Sequence, residues 1–390
     1  MKYLSLLPLL GLLVFAQSCG KDDGPEEEDK GPLTNSVPEF FSEDYEINYG
    51  NTPPEATVVA GGLQGLEAPR DLEFHPFEDR KYELWVLSPG TQNTGGTTTI
   101  FSDPITNGNN AQNLTDGNAW HFLALGTSLA FGENGNWATA QGILDANRQG
   151  GIFTGPTLWS SDMDIYAKIG RNPTAEVNGS HLDMLHQSPF GMGIAHEVDN
   201  IYWVFDGYNK SICRYDFAAP HYPGGYDHDD GRILRYTGLG VQMNFDTGIP
   251  NHMVLDKETN WLYITDPGSK RVLKMDITTG NAKATPSIPV ANNEVLAEYK
   301  EVENATVVDV LTEGLNSPCG IALHENRLFI GDYRTGKITC VDKTSHEVLG
   351  VYDTGSQGLT GLEIGPDGKL WFLNAISDEL LRLDPVPVEL

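Results

Sequence analysis

A short alternating strand recurs six times between residues 69 and 364, and that periodicity limits what the chain can fold into. The copies are Pro69–Phe74, Thr127–Phe131, Pro189–Ile194, Pro250–Leu255, Pro318–Leu323 and Leu359–Ile364. Their starts are spaced 58, 62, 61, 68 and 41 residues apart. After each comes a polar turn and a second, aromatic-rich strand: Leu84–Leu87, Trp137–Thr139, Tyr202–Phe205, Leu262–Thr265, Leu328–Gly331 and Leu370–Leu373. Four third strands end in an acid, at Asp216, Asp276, Asp342 and Asp384. Strands of period two, repeated every 40–70 residues, predict an all-β propeller, and six copies predict six blades. The 43 glycines and 23 prolines supply the turns such a ring needs.

Fourth strands are expected at Ile233–Thr237, Val307–Leu311 and Val348–Tyr352. The sixth copy has too little chain after Asp384 for its own. Ala56–Ala60 has the β-branched character to replace it, so the first strand of the domain is expected to close the last blade. Closure removes the open edge that recruits other chains. The repeat also accounts for Trp85, Trp203, Tyr263, Phe329 and Trp371, which share one register of the second strand and so read as packing between blades. The terminal aspartates read as turn-formers.

Over roughly residues 56–385 the pattern resembles the NHL-repeat propellers. Among similar six-bladed propellers, the peptidylglycine amidating lyases hold zinc with channel histidines in a Pro-His-Gly-type motif. The matching slots here hold Arg70, Thr127, Phe190, Asn251, Cys319 and Thr360. None is histidine, so the resemblance carries the fold and not that metal site.

The segment before the repeat reads as an address. Lys2 precedes an apolar run, Leu4–Ala16, too short for the roughly 20 residues that span a bilayer. It reads as a signal peptide over residues 1–18. Ala16-Gln17-Ser18-Cys19 resembles a bacterial lipoprotein cleavage site, which implies that Cys19 carries the lipid. Lys21 followed by Asp22, Asp23 and Glu26–Asp29 is similar to the surface-export signal of some Gram-negative lipoproteins. Residues 19–46 hold ten acids against Lys21 and Lys30 and read as an unfolded tether. The expected division is 1–18 signal, 19–46 tether and 47–390 propeller. The expected location is the outer membrane, anchored by lipid and facing the cell surface, with the periplasmic leaflet as the alternative. Without Cys19, the thiols Cys213, Cys319 and Cys340 are odd in number and read as buried and free. A net charge of −29 argues against nucleic acid as a partner.

Departures from the repeat mark the candidate sites. The slot expected to face the central channel holds Asp71, Ser128, Gly191, His252, Gly320 and Gly361. Asp71, with Arg70 beside it, and His252 form a candidate catalytic or ligand-binding group. His121 and His186 precede the second and third copies, so His121, His186 and His252 are expected to converge at one rim, as ligands of a catalytic-type metal. Asp227, His228, Asp229 and Asp230, in the insertion Pro220–Gly231, form a second candidate metal cluster, for calcium or zinc. The loops Gly142–Pro156 and Asn172–Ser188 are large enough to shape a binding rim. No nucleophile elbow, phosphate loop or H-E-x-x-H motif is present. Two functions fit: a binding module for a glycan, peptide or outer-membrane protein partner, or a metal-dependent lyase or hydrolase at the channel mouth.

Overall fold

The structure is a computed structural model; it describes residues 53–168 and 178–386. The expected signal peptide, Cys19 and the tether lie outside the described residues.

Six four-stranded antiparallel units follow one another as blades 1–6. Their first strands are Asp71–Phe74, Gly126–Phe131, Gly191–Val198, Met253–Asp256, Pro318–His324 and Leu359–Ile364. The second strands are Leu84–Thr91, Asn136–Gln141, Ile201–Asp206, Trp261–Asp266, Arg327–Asp332 and Leu370–Asn374. The predicted second strands fall inside these spans. Blade 6 takes its outer strand from Glu55–Ala60, which pairs antiparallel with Glu379–Asp384, so the two ends of the domain close the ring as expected.

Packing follows the alternation. Trp85, Trp137, Trp203 and Trp371 are fully buried. Trp85 of blade 1 meets Trp137 of blade 2 edge-on at 5.0 Å, and Phe74 meets Trp371 of blade 6 at 5.5 Å, so the recurrent aromatic register joins neighbouring blades. Asp216, Asp276 and Asp342 each accept a backbone N–H two residues on, the expected turn role. Asp384 instead holds Arg382 and Lys369. Cys213, Cys319 and Cys340 are buried and free.

Two features were not anticipated. A bulge in blade 3 shifts the register between Gly191 and Gly193, so Gly193, not Gly191, occupies the channel slot opposite Phe205. Glycine there has a cause: a Cβ on Gly193 would lie 1.9 Å from the Asn251 carbonyl oxygen, and one on Gly320 1.9 Å from that of Thr360. Neighbouring first strands approach too closely for a side chain. The second feature lies between the third and fourth strands of blade 4, Arg271–Asp276 and Val307–Leu311. There the chain leaves its blade and adds two strands to the edge of blade 3. Glu298–Glu303 pairs in parallel with Arg232–Tyr236, and Asn281–Ala282 pairs outside it. This excursion carries Glu294 toward blade 2.

Candidate functional sites

The channel holds a cavity of about 520 Å³ lined by residues from the first strands of all six blades. Its lining runs from Asp71 to His75 in blade 1 and from His252 to Leu255 in blade 4, toward the turns that follow the first strands. Three carboxyls face it: Asp71, Glu73 and Glu363. Asp71 is buried and accepts backbone N–H groups from Leu129 of blade 2 at 2.9 Å and Leu72 at 3.0 Å. Glu73 and Glu363 hold one position in adjacent blades, opposite Trp85 and Trp371. Desolvation, and then the charge of Glu363, raises Glu73 well above the ordinary carboxyl range. Desolvation, and then the charge of Asp71, pushes Glu363 up to about 8. The two lysines of the lining are engaged: Lys257 by Glu133, and Lys81 by Glu78 at 2.5 Å.

His252 and Asp71 meet across this channel. His252 Nε2 lies 3.7 Å from Asp71 Oδ2 and donates to the Thr127 carbonyl at 3.0 Å. The ring spans from blade 4 to blade 2 past the bare Gly193. Its Nε2 carries the proton, because a carbonyl oxygen can only accept. Arg70 turns the other way and donates to the Gly248 carbonyl, with Asp246 near its charge. Of the channel candidates, Asp71 and His252 come together and Arg70 does not join them.

His121, His181, His186, His221 and His228 gather where the outer parts of blades 2 and 3 meet. His121, in the one-turn helix Ala119–Phe122, and His186 approach with ring centroids 5.9 Å apart. Neither contacts His252. His186 Nδ1 lies 2.7 Å from Glu294, which also accepts from the His186 backbone and from Gln187. Phe153 stacks on the His186 ring at 3.8 Å. His228 lies 6.4 Å from His186 and belongs to a tighter group with His181 and His221. In that group one potential ligand atom from each residue lies within 4.8 Å of the others. The acids expected to join His228 do not: Asp227 and Asp229 are exposed, Asp227 faces the Asp229 N–H at 3.5 Å, and Asp230 accepts from the Ala219 N–H at 3.1 Å. His228 turns inward to Asp183 instead, at 2.7 Å. His181 and His221 form no spaced motif with His228. The signal available in sequence was that His181 and His221 stood within or beside the two large loops.

Burial lowers His121 to about 4, with His186 adding to the effect. Burial, and then the neighbouring His221 and His228, lowers His181 to about 2. These imidazoles are neutral at physiological pH and present lone pairs rather than charges.

No family model matches the chain, and no curated protein does. Solved structures do match. A Bacteroides thetaiotaomicron structural-genomics protein of unknown function aligns at 10% identity over 87% of this chain and 73% of that one, with a TM-score of 0.51. Regucalcin from Agrobacterium tumefaciens, a calcium-binding protein, aligns at 11% over 85% and 94%, TM-score 0.48. Virginiamycin B lyase from Staphylococcus aureus aligns at 10% over 87% and 98%, TM-score 0.45. At such identities the likeness is one of fold.

Proposed function

We propose that this chain is a lipid-anchored propeller, carried to the outer membrane on Cys19 and displayed at the cell surface, that holds the amine-bearing part of a glycan or peptide in its axial cavity. The observation that carries this reading is the convergence of Asp71, Glu73 and Glu363 on one 520 Å³ space at the ring axis. A concave site with a few convergent polar groups on an apolar wall is the usual form of a ligand pocket. Leu72, Phe131, Ile194, Met253, Ile321 and Leu362 supply that wall. An ammonium group entering it offsets the mutual repulsion of the carboxyls and draws them into the charged form, so binding releases protons. The net charge of −29 attracts such ligands over a longer range.

A metal-dependent lyase or hydrolase at the channel mouth has less support. His121 and His186, expected to complete its ligand set with His252, lie near His228 and do not line the channel cavity.

Two experiments test the reading. Titration calorimetry with amino-sugar oligomers and their N-acetylated forms, in buffers of different ionisation enthalpy, is expected to show binding of the amines alone, with proton release. Equal binding of both forms, or none of either, rejects the pocket. Cys19→Ala is expected to move the protein from the membrane fraction to the soluble one, and continued sedimentation with membranes rejects the anchor.

A further inference from the structure

The group formed by His181, His221 and His228 is assembled by two loops sewn together through their backbones. Asn178 N–H donates to the Gly224 carbonyl at 3.1 Å, His221 N–H to that of Leu182 at 3.1 Å, and Gly224 N–H to that of His181 at 2.8 Å. The loop of blade 3 turns sharply between His221 and Gly225. Gly224 has a φ of +73°, and a Cβ on Gly225 would lie 2.8 Å from His221 Nδ1. Local backbone chemistry thus fixes where His221 stands relative to His181.

Each of the three rings has one nitrogen tied to an oxygen. His181 Nδ1 faces the Asn178 carbonyl at 3.0 Å, His221 Nδ1 the Tyr222 carbonyl at 2.7 Å, and His228 Nδ1 the Asp183 carboxylate at 2.7 Å. In His181 and His221 the partner is a carbonyl, which can only accept, so Nδ1 carries the proton and Nε2 keeps its lone pair. His221 Nε2 is buried and has no hydrogen-bond partner. One ring nitrogen of each histidine lies within 4.8 Å of the others, close enough for a shared electrophile to bridge them.

We propose that His181, His221 and His228 bind a divalent transition-metal ion of the zinc class through their Nε2 atoms, with the fourth position of a tetrahedron left open. Three neutral imidazoles with no carboxylate among the direct ligands match zinc and its neighbours, and do not match calcium or magnesium, which take oxygen. The outer partners match as well. Ligating histidines donate their second ring N–H to a carboxylate or a carbonyl, and Asp183 beside His228 is such a carboxylate. Asp183 is itself fixed, fully buried and accepting the Met184 N–H at 2.6 Å. Binding draws the nitrogens from within 4.8 Å of one another to the edge of a zinc tetrahedron, roughly 3.3 Å. His221 and His228 are only half-buried and can rotate to close that distance. His181 stays put, stacked on Phe122 at 3.7 Å. The ion would pin the outer edge of blade 2, whose last strand is only Asp183–Met184, to the loop of blade 3.

The test uses the full chain, purified in detergent, stripped with a chelator and dialysed. Zinc titration by calorimetry, with metal content measured after desalting, is expected to give one ion per chain, and calcium is expected not to compete. Cobalt(II) is expected to give the visible absorption of a tetrahedral site. His221→Gln and His228→Gln are expected each to weaken zinc binding at least about 100-fold. Their melting temperatures without metal should match the parent, since neither half-exposed ring holds the core. Absence of zinc binding by the folded parent protein overturns the proposal. So does a single bound ion whose affinity neither substitution changes.

Discussion

His228 Nδ1 and Asp183 Oδ1 lie 2.7 Å apart, joining the loop of blade 3 to the outermost strand of blade 2. The Asp183 side chain is fully buried, whereas His228 is 20% exposed, so the carboxylate is the fixed partner and the imidazole is the one it aims. Desolvation raises the Asp183 carboxyl, and the hydrogen bond from His228 opposes that rise. Asp183→Asn keeps the shape and removes the charge. It is expected to weaken zinc binding roughly 10- to 100-fold while leaving the stoichiometry at one. An unchanged zinc affinity would show that Asp183 does not position His228.

The channel carboxyls give the folded protein a pH dependence whose sign can be worked out. Glu363 titrates near 8 in the folded state, above its ordinary 4.5, so the native chain binds more protons than the unfolded one between those values. Stability therefore falls as pH rises through that window. Glu73 acts in the same direction. Below about pH 6.5 the opposite holds for His75 and His121, each lowered to about 4 by burial, because unfolding there takes up protons. Above about pH 6.5 the histidines no longer contribute, and stability is expected to drop by on the order of 2 kcal/mol for Glu363 by pH 8. Glu363→Gln should flatten the alkaline limb in melting curves. A limb of unchanged slope in that variant would remove Glu363 as its source.

Gly193 sits where a Cβ would meet the Asn251 carbonyl oxygen at 1.9 Å. The obstacle is backbone of the adjoining blade and cannot swing aside. Gly193→Ala is expected to cost roughly 2–3 kcal/mol in urea unfolding. Gly62→Ala, with nothing within 4 Å of its Cβ, is the control expected to change little. Equal effects of the two substitutions would mean that blade spacing yields to a methyl group.

The ring was legible in the sequence because each blade repeats one pattern: a proline or turn, an alternating strand, then an aromatic strand. Closure by Glu55–Ala60 was legible for the same reason, since the sixth unit lacked one strand. Gly193 was misplaced by two residues because a bulge does not alter composition, only register. The excursion through Glu298–Glu303 was missed because that strand is polar and pairs with a neighbouring blade's edge. Asp71 and His252 stood out as exceptions to a glycine slot, and they meet in the channel. The group of His181, His221 and His228 did not stand out. Its members come from two blades, and their meeting depends on backbone bonds between two loops, which no local spacing records.

Arg235 binds these pieces together from the fourth strand of blade 3. It is 1% exposed, pairs with the buried Asp206, and donates to Ser211 Oγ at 2.7 Å and to the Gln187 carbonyl. Its Nε donates to the Tyr299 hydroxyl of the excursion at 2.9 Å. One guanidinium thus serves blade 3, the residue after His186 and the added strand. Arg235→Met leaves Asp206 buried without its counter-charge and is expected to cost about 3–5 kcal/mol. Adding Asp206→Asn should recover part of that loss, because the stranded charge is then gone. Hydrogen exchange in the single variant is expected to rise first over residues 281–303, which lose the Tyr299 contact. Additive losses in the double variant would show that the two side chains do not act as a pair, and unchanged exchange over 281–303 would detach the excursion from Arg235.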